Sequence, residues 1–216
     1  MFITFEGPEG SGKSTQLQRL GALLSEAGVD CVMTKEPGGT PIADRIRAIV
    51  LDSASTGMDA WTEVLLYSAS RRQHVVERIR PALARGAVVL CDRYTDATVA
   101  YQGYGRLIDL GRLETLNAWA TEGLVPDVTL LYDIDEATGL ARAHRRNAAM
   151  DVDEGRFEAE DLRFHRRVRE GYLAIAVAAP ARFATIDGHG TIDEVFARTI
   201  ETLKQRVPQL IPTSIA

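Results

Sequence analysis

The sequence predicts an α/β fold, a five-stranded parallel sheet covered by helices on both faces. Three observations lead there. Short, almost wholly apolar runs recur along the chain, too uniform for strands with one wet face. Longer stretches of helical periodicity separate each run from the next. The first run also passes straight into a glycine-rich loop that opens a helix. Fully apolar strands alternating with helices describe a sheet buried on both sides.

The first strand, Phe2 to Phe5, leads into Gly7-Pro8-Glu9-Gly10-Ser11-Gly12-Lys13-Ser14, a complete phosphate-binding P-loop. Glycines let the backbone turn so that successive N–H groups face a β-phosphate, Lys13 reaches the β- and γ-phosphates, and the Ser14 hydroxyl is suited to ligand Mg²⁺. Leu17, Leu20 and Leu24 give the next stretch a helical stripe, which turns the positive helix end toward the phosphates. A second strand, Cys31 to Thr34, precedes the turn-rich Lys35-Glu36-Pro37-Gly38-Gly39-Thr40 and a helix near Ile42 to Leu51. A long helix from Asp59 to Ala84 follows, and Gly86 leads into a third strand, Ala87 to Cys91. Asp127 to Tyr132 reads as the fourth strand and Arg182 to Ile186 as the fifth. Helices near Glu114 to Glu122, Glu136 to Arg146, Glu158 to Ala178 and Ile192 to Arg206 fill the remaining intervals. Without a linker, repeat or low-complexity tract, residues 1–207 are expected to form one domain. Pro208 to Ala216 reads as a loose C-terminal tail.

A chain of 216 residues is ample for one buried core. Its net charge of −5 argues against a general nucleic-acid binder, which needs a basic field to release counterions. No apolar run approaches the ~20 residues that span a bilayer, and the N-terminus lacks the basic region of a signal peptide. Cys31 and Cys91 lie in apolar runs without metal spacing, so reduced, inert thiols in the cytoplasm are expected.

The third strand ends in Asp92-Arg93-Tyr94. A carboxylate at the end of a strand beside a P-loop suits the nucleotide's Mg²⁺. Arg93 does not suit a simple switch hydrolase, because a guanidinium there calls for a second anion, which a phosphorylated acceptor supplies. These residues alone leave open a kinase for another nucleoside monophosphate or a deoxynucleoside, a nucleotide-hydrolysing switch, and a silent nucleotide-binding module.

Further motifs narrow the choice. The P-loop, Glu36 to Thr40, Leu65-Leu66-Tyr67-Ser68-Ala69-Ser70-Arg71, Asp92-Arg93-Tyr94 and Ala100-Tyr101-Gln102-Gly103 occur in one order and spacing, and together they resemble the thymidylate kinase family, bacterial type. The resemblance implies a P-loop nucleoside-monophosphate-kinase-like fold with a lid, and transfer of the γ-phosphoryl group of ATP, with Mg²⁺, to dTMP. It implies ATP binding by Gly7, Pro8, Glu9, Gly10, Ser11, Gly12, Lys13, Ser14 and Thr15, with Arg142 on the adenine face, and metal binding by Ser14 and Asp92. It further implies that Glu9 accepts from the deoxyribose 3′-OH, that Pro37 touches the thymine region, and that Arg47 and Arg93 hold the dTMP phosphate. Tyr67 would stack on the thymine, Arg71 would donate to its O4, and Thr98 and Gln102 would meet the base edge. Tyr101 would crowd the sugar C2′ and exclude ribose. A homodimer also follows from the resemblance, with no nucleic-acid or membrane partner.

Three positions depart from the family pattern. Ala97 stands where serine is common, which leaves Thr98 to carry the hydroxyl contact. Gly10 stands where some members carry a P-loop arginine, so the catalytic arginine is expected from the lid, about residues 142–160. Arg145, Arg146 and Arg156 are the candidates there. Arg156 and Glu158 match an Asp-Arg-x-Glu pattern whose first acid is Gly155 here, after a lengthened linker. Arg146 keeps the family spacing from Arg142 and is the first choice, with Arg156 second. Catalysis is thus expected to rest on Lys13, Asp92, Arg93 and Arg146.

Overall fold

A computed structural model describes residues 1–150, 156–157 and 159–211. Its five strands, β1 (Phe2–Glu6), β2 (Cys31–Lys35), β3 (Val88–Asp92), β4 (Val128–Asp133) and β5 (Phe183–Asp187), form one sheet in the order β2-β3-β1-β4-β5. Every neighbouring pair is parallel. The predicted architecture is present. The strands run one charged residue beyond their expected ends, to Glu6, Lys35, Asp92, Asp133 and Asp187. An apolar-run reading stops at the last apolar side chain, whereas ladder pairing continues, with Lys35 opposite Asp92 and Asp133 opposite Asp187. The sheet's carboxyl edge is thereby lined with charge, where open α/β sheets bind ligands.

Helix α1 (Lys13–Glu26) leaves the P-loop and packs with Ile3, Phe5, Leu130 and Ile186 in one core layer. Helix α2 (Pro41–Leu51) starts at the Thr40 cap, with proline where a missing N–H costs nothing. The long helix expected from Asp59 is α3 (Ala60–His74), a π-helical turn at Val75–Ile79, and α4 (Arg80–Ala84). Its Val75 and Ile79 fill the opposite core layer with Phe2, Val89 and Tyr94. Short α5 (Thr95–Thr98) continues as a second π-helical stretch, Val99–Gly105.

Helix α6 (Leu110–Thr121) starts earlier than its periodicity suggests, because the Asp109 side chain caps the Arg112 N–H. Helix α7 (Glu136–Met150) runs past the expected Arg146. Helix α8 (Leu162–Ala178) begins later than Glu158, where Asp161 caps the Phe164 N–H, and α9 (Ile192–Arg206) opens with a Thr191–Glu194 capping box.

The segment expected to be loose from Pro208 is ordered at its start. Residues Pro208–Leu210 make a 3₁₀ turn, and Leu210 and Ile211 are buried against the α1 core layer. Apolar side chains following a proline stop find cover there. Cys91 is buried and Cys31 partly so; both are free thiols. Burial pushes Cys31 up to about 11 and Cys91 well above its ordinary value. No helix among the described residues is long and apolar enough to cross a membrane.

Candidate active site

The P-loop joins β1 to α1 at the sheet's charged edge. Gly7, Gly10 and Gly12 have φ of 144°, 67° and 86°, conformations that glycine takes without a Cβ penalty. A Cβ at Gly7 would strike the Tyr132 carbonyl oxygen, and one at Gly10 the Gly139 carbonyl oxygen in α7. The loop is thus clamped between β4 and the helix that carries Arg142 and Arg146. On this backbone an arginine at position 10 has no room. Ser11 Oγ is buried and has no hydrogen-bond partner among the described residues, a polar group in the loop that suits an anion's cradle.

Lys13 is almost buried, and its Nζ donates to the Pro8 carbonyl at 3.3 Å. Burial and the neighbouring Arg93 guanidinium depress its ammonium pKa, with Glu9 and Asp92 pulling the other way. The Ser14 hydroxyl donates to Asp92 Oδ2. Two hard oxygens therefore meet beside the loop, a donor set that suits Mg²⁺.

Arg93 is the centre of the arrangement. Its backbone is left-handed, with φ 67°, an unusual conformation for a residue with a side chain. Its Nη1 donates to the Gly7 carbonyl at 3.0 Å and to the Tyr172 hydroxyl at 2.9 Å. Its Nη2 donates to Glu9 Oε1 at 2.8 Å and to the Tyr101 hydroxyl at 2.9 Å, while Tyr101 in turn donates to Glu9 at 2.9 Å. Burial raises the Glu9 pKa, but Arg93 and Lys13 outweigh it and hold the carboxyl down at about 2. Glu9, Arg93 and Tyr101, which the sequence singles out separately, thus meet in a compact triad.

Two clefts flank this centre. The larger encloses about 810 Å³ and is bordered by Pro37, Arg47, Tyr67, Arg71, Thr98, Tyr101 and Gln102 along with Glu9, Asp92 and Arg93. The smaller, about 460 Å³, is bordered by the P-loop from Gly10 to Thr15, by Arg142, and by Gly188 and Gly190 to Ile192. Lys13, Ser14 and Arg146 belong to the walls of both.

Within the larger cleft, Arg71 is buried and locked from several sides. Its Nε donates to Glu36 at 2.7 Å, Nη1 to Thr98 Oγ1 at 3.0 Å and Asn117 Oδ1 at 2.8 Å, and Nη2 to the Tyr94 carbonyl at 2.9 Å. Glu36 is itself held by His74 Nδ1 at 3.0 Å, whose Nε2 meets Thr34 Oγ1 at 2.7 Å. Arg47 donates to the Pro37 carbonyl at 3.1 Å.

The lid arginines part company. Arg146 faces the clefts, whereas Arg145 borders neither and donates to the Ala141 carbonyl within its own helix. Arg142 donates to the Gly188 carbonyl at 3.0 Å beside the smaller cleft. Arg156 is turned away from both. It is 8% exposed, donates to the Val50 carbonyl at 3.1 Å, and pairs with the fully buried Glu63 at 2.6 Å. Glu63 also accepts from Gln102 and Arg106. A guanidinium buried against a carboxylate is neutralised there, so the second-choice arginine serves as an anchor in this structure. Gly155 and Glu158 lie outside the described residues.

The thymidylate kinase family model matches residues 5–199. The chain belongs to the thymidylate kinase family. Among its relatives, the thymidylate kinase of Solidesulfovibrio magneticus is 57% identical over 90% of this chain and 94% of its own. That of Geobacter sulfurreducens is 52% identical over 96% and 98%. The crystal structure of thymidylate kinase from Ehrlichia chaffeensis superposes with a TM-score of 0.76 at 35% identity, covering 94% of this chain and 98% of the other. The chain is accordingly an enzyme, a nucleotide-binding kinase of this family with the P-loop monophosphate-kinase fold.

Several residues that support this site carry little or no signal in the sequence. Glu36 was only part of a motif, and His74, Asn117, Glu63 and Arg106 carried no local signal because their partners lie 30 or more residues away. Glu6 was legible as a charge closing an apolar run. Tyr172, in the middle of α8, had no local signal.

Proposed function

We propose that the enzyme transfers the γ-phosphoryl group of ATP to dTMP, releasing dTDP and ADP, and so serves dTTP supply. The observation that carries this reading is the meeting of two clefts at Lys13, Ser14 and Arg146, with Arg93 and Glu9 on the larger side. Donor and acceptor anions brought together there need their repulsion neutralised and their reacting atoms aligned.

In this reading the P-loop holds the ATP phosphates, and Arg142 covers the adenine. The dTMP lies in the larger cleft, with its phosphate on Arg93 and Arg47, its 3′-OH on Glu9, and its base between Tyr67, Arg71, Thr98 and Gln102. Ser14 and Asp92 hold Mg²⁺, which, when bound, neutralises charge on the donor phosphates. Lys13 steadies the transferring group from the loop and Arg146 from the lid. No general base is needed, because the acceptor phosphate already offers an ionised oxygen. Arg71, immobilised by Glu36, Thr98, Asn117 and the Tyr94 carbonyl, keeps one Nη2 N–H for the base, held in place rather than flexible, which favours discrimination between bases. A homodimer working in the cytoplasm, the single domain over 1–207 and the lid near 142–160 belong to the same reading.

A coupled ATP-consumption assay across dTMP, dUMP, UMP, CMP, AMP and GMP tests it. The expected result is the highest kcat/KM for dTMP, dependent on Mg²⁺. A higher value for AMP, CMP or GMP overturns the assignment.

A further inference from the structure

Arg93 has to present its guanidinium to an acceptor phosphate from a left-handed backbone, and something must hold it in that posture. Glu9, one of its partners, is shared with the sugar's 3′-OH in the proposed reading, while the Gly7 carbonyl holds only one nitrogen, Nη1, at 3.0 Å. A pair of side chains stands behind Arg93. Glu6, the fully buried last residue of β1, accepts from the Tyr94 N–H through Oε1 at 2.7 Å and from the Tyr172 hydroxyl through Oε2 at 2.8 Å. The same Tyr172 oxygen accepts from Arg93 Nη1 at 2.9 Å. One carboxyl therefore fixes both ends of Arg93, its backbone through the peptide N–H that follows it and its guanidinium through one phenol.

The remaining supports fit this assignment. The Arg93 N–H donates to the Phe5 carbonyl at 3.0 Å, which ties the turn to β1 just before Glu6. Tyr172 is 1% exposed and packs edge-on against Tyr101 at 6.2 Å between ring centroids. Neither Glu6 nor Tyr172 borders either cleft, so neither touches a bound nucleotide. Burial and the neighbouring Asp96 push the Glu6 carboxyl up to about 8, against the pull of Arg93. A group so costly to bury, with two donors aimed at it, is retained for what it holds.

We propose that Glu6 and Tyr172 are positioning residues that set Arg93 for the acceptor's phosphate. The inference rests on the reading of dTMP as acceptor and of Arg93 as its phosphate ligand. The phosphate, and not the nucleoside, is what the pair serves.

The test is a comparison of ligands that differ only in that phosphate. Tyr172→Phe keeps the ring and its contact with Tyr101 while removing the hydroxyl. Binding of dTMP and of thymidine is measured by calorimetry for the parent and the variant. Loss of a hydrogen bond to a charged group predicts dTMP binding weaker by about tenfold or more, with thymidine within about twofold of the parent. Glu6→Leu, close in size but without either acceptor, is expected to act in the same direction and serves if Tyr172→Phe does not fold. Equal weakening of both ligands, or no change in either, overturns the proposal. If the parent instead prefers another monophosphate, the reading of the acceptor fails, and the comparison is run with that nucleotide and its nucleoside. The same phosphate-specific loss then still upholds the clamp on Arg93, and its absence overturns it.

Discussion

Arg146 borders both clefts, Arg145 borders neither, and Arg156 is spent on Glu63. Arg146→Ala is therefore expected to lower kcat by at least about a hundredfold with dTMP affinity nearly intact, since an arginine that meets a phosphoryl transition state is worth on the order of 10³ to 10⁵. Single-turnover rates check this, and lysine should rescue poorly because it lacks the planar fork. Tyr101 is expected to act by its ring in sugar selection. Tyr101→Phe should keep the preference for dTMP over its ribose analogue, and Tyr101→Ala should lose roughly 1 to 3 kcal/mol of it, read from the two kcat/KM values. Glu9 has a pH signature. Burial raises its carboxyl pKa, yet Arg93 and Lys13 hold it at about 2 in the folded state, below its ordinary 4.5. A carboxyl lowered on folding contributes stability that is complete above the ordinary value and lost as pH falls toward the folded one. Urea unfolding of the parent should weaken between pH 4.5 and 2, and Glu9→Gln should flatten that part of the profile.

The elements matter through where they touch. The P-loop and the start of α7 approach so closely that a Cβ at Gly10 would meet the Gly139 carbonyl oxygen, and one at Gly139 would meet the Glu9 carbonyl oxygen. Gly10→Ala is expected to force the loop off α7, raising KM for ATP and lowering kcat by tenfold or more, measured with dTMP saturating. Residues 156–157 are fastened to α3 and to the π-helical stretch, where Glu63 gathers Arg156, Arg106 and Gln102 and Phe157 packs edge-on to Tyr101 at 5.5 Å. Arg156→Ala removes one partner of a fully buried carboxylate and should cost about 2 to 4 kcal/mol, less than a lone pair would because Arg106 remains. Its single-turnover rate should fall far less than that of Arg146→Ala. Wide helical turns at Val75–Ile79 and Val99–Gly105 are not visible as periodicity, since each is too short to set a period of its own against the helix around it. The second sets Tyr101 and Gln102, in keeping with the use of π-turns at functional sites.

At the scale of the whole molecule, binding in either cleft draws together segments from all along the chain, so ligands should stabilise the fold as a unit. A hundredfold excess of dTMP or ATP over its Kd is expected to add about 2.7 kcal/mol, or roughly 5 to 10 °C in Tm for a protein of this size. Absence of a dTMP-dependent shift in thermal melting would remove the larger cleft as its site. The sequence by itself determined a parallel sheet under helices, because uniformly apolar strands alternating with helices must be covered on both faces. It also determined the phosphate loop, whose glycines, Lys13 and Ser14 act through local backbone geometry. The family came from motifs in order, and with it the expectation that Glu9, Arg93 and Tyr101 each meet the acceptor; that they also bond to one another came from the fold. Tertiary structure decided what the lid arginines touch: the sequence ranks Arg146 before Arg156, but only the fold pairs Arg156 with the buried Glu63, sets Arg145 off both clefts and puts Arg142 beside the smaller one and Arg146 beside both. It alone revealed the chains of support behind the site, Thr34–His74–Glu36–Arg71 and Glu6–Tyr172–Arg93. Buried polar groups must find partners wherever the fold brings them, and those partners lie far apart in sequence, where neither period nor spacing records them.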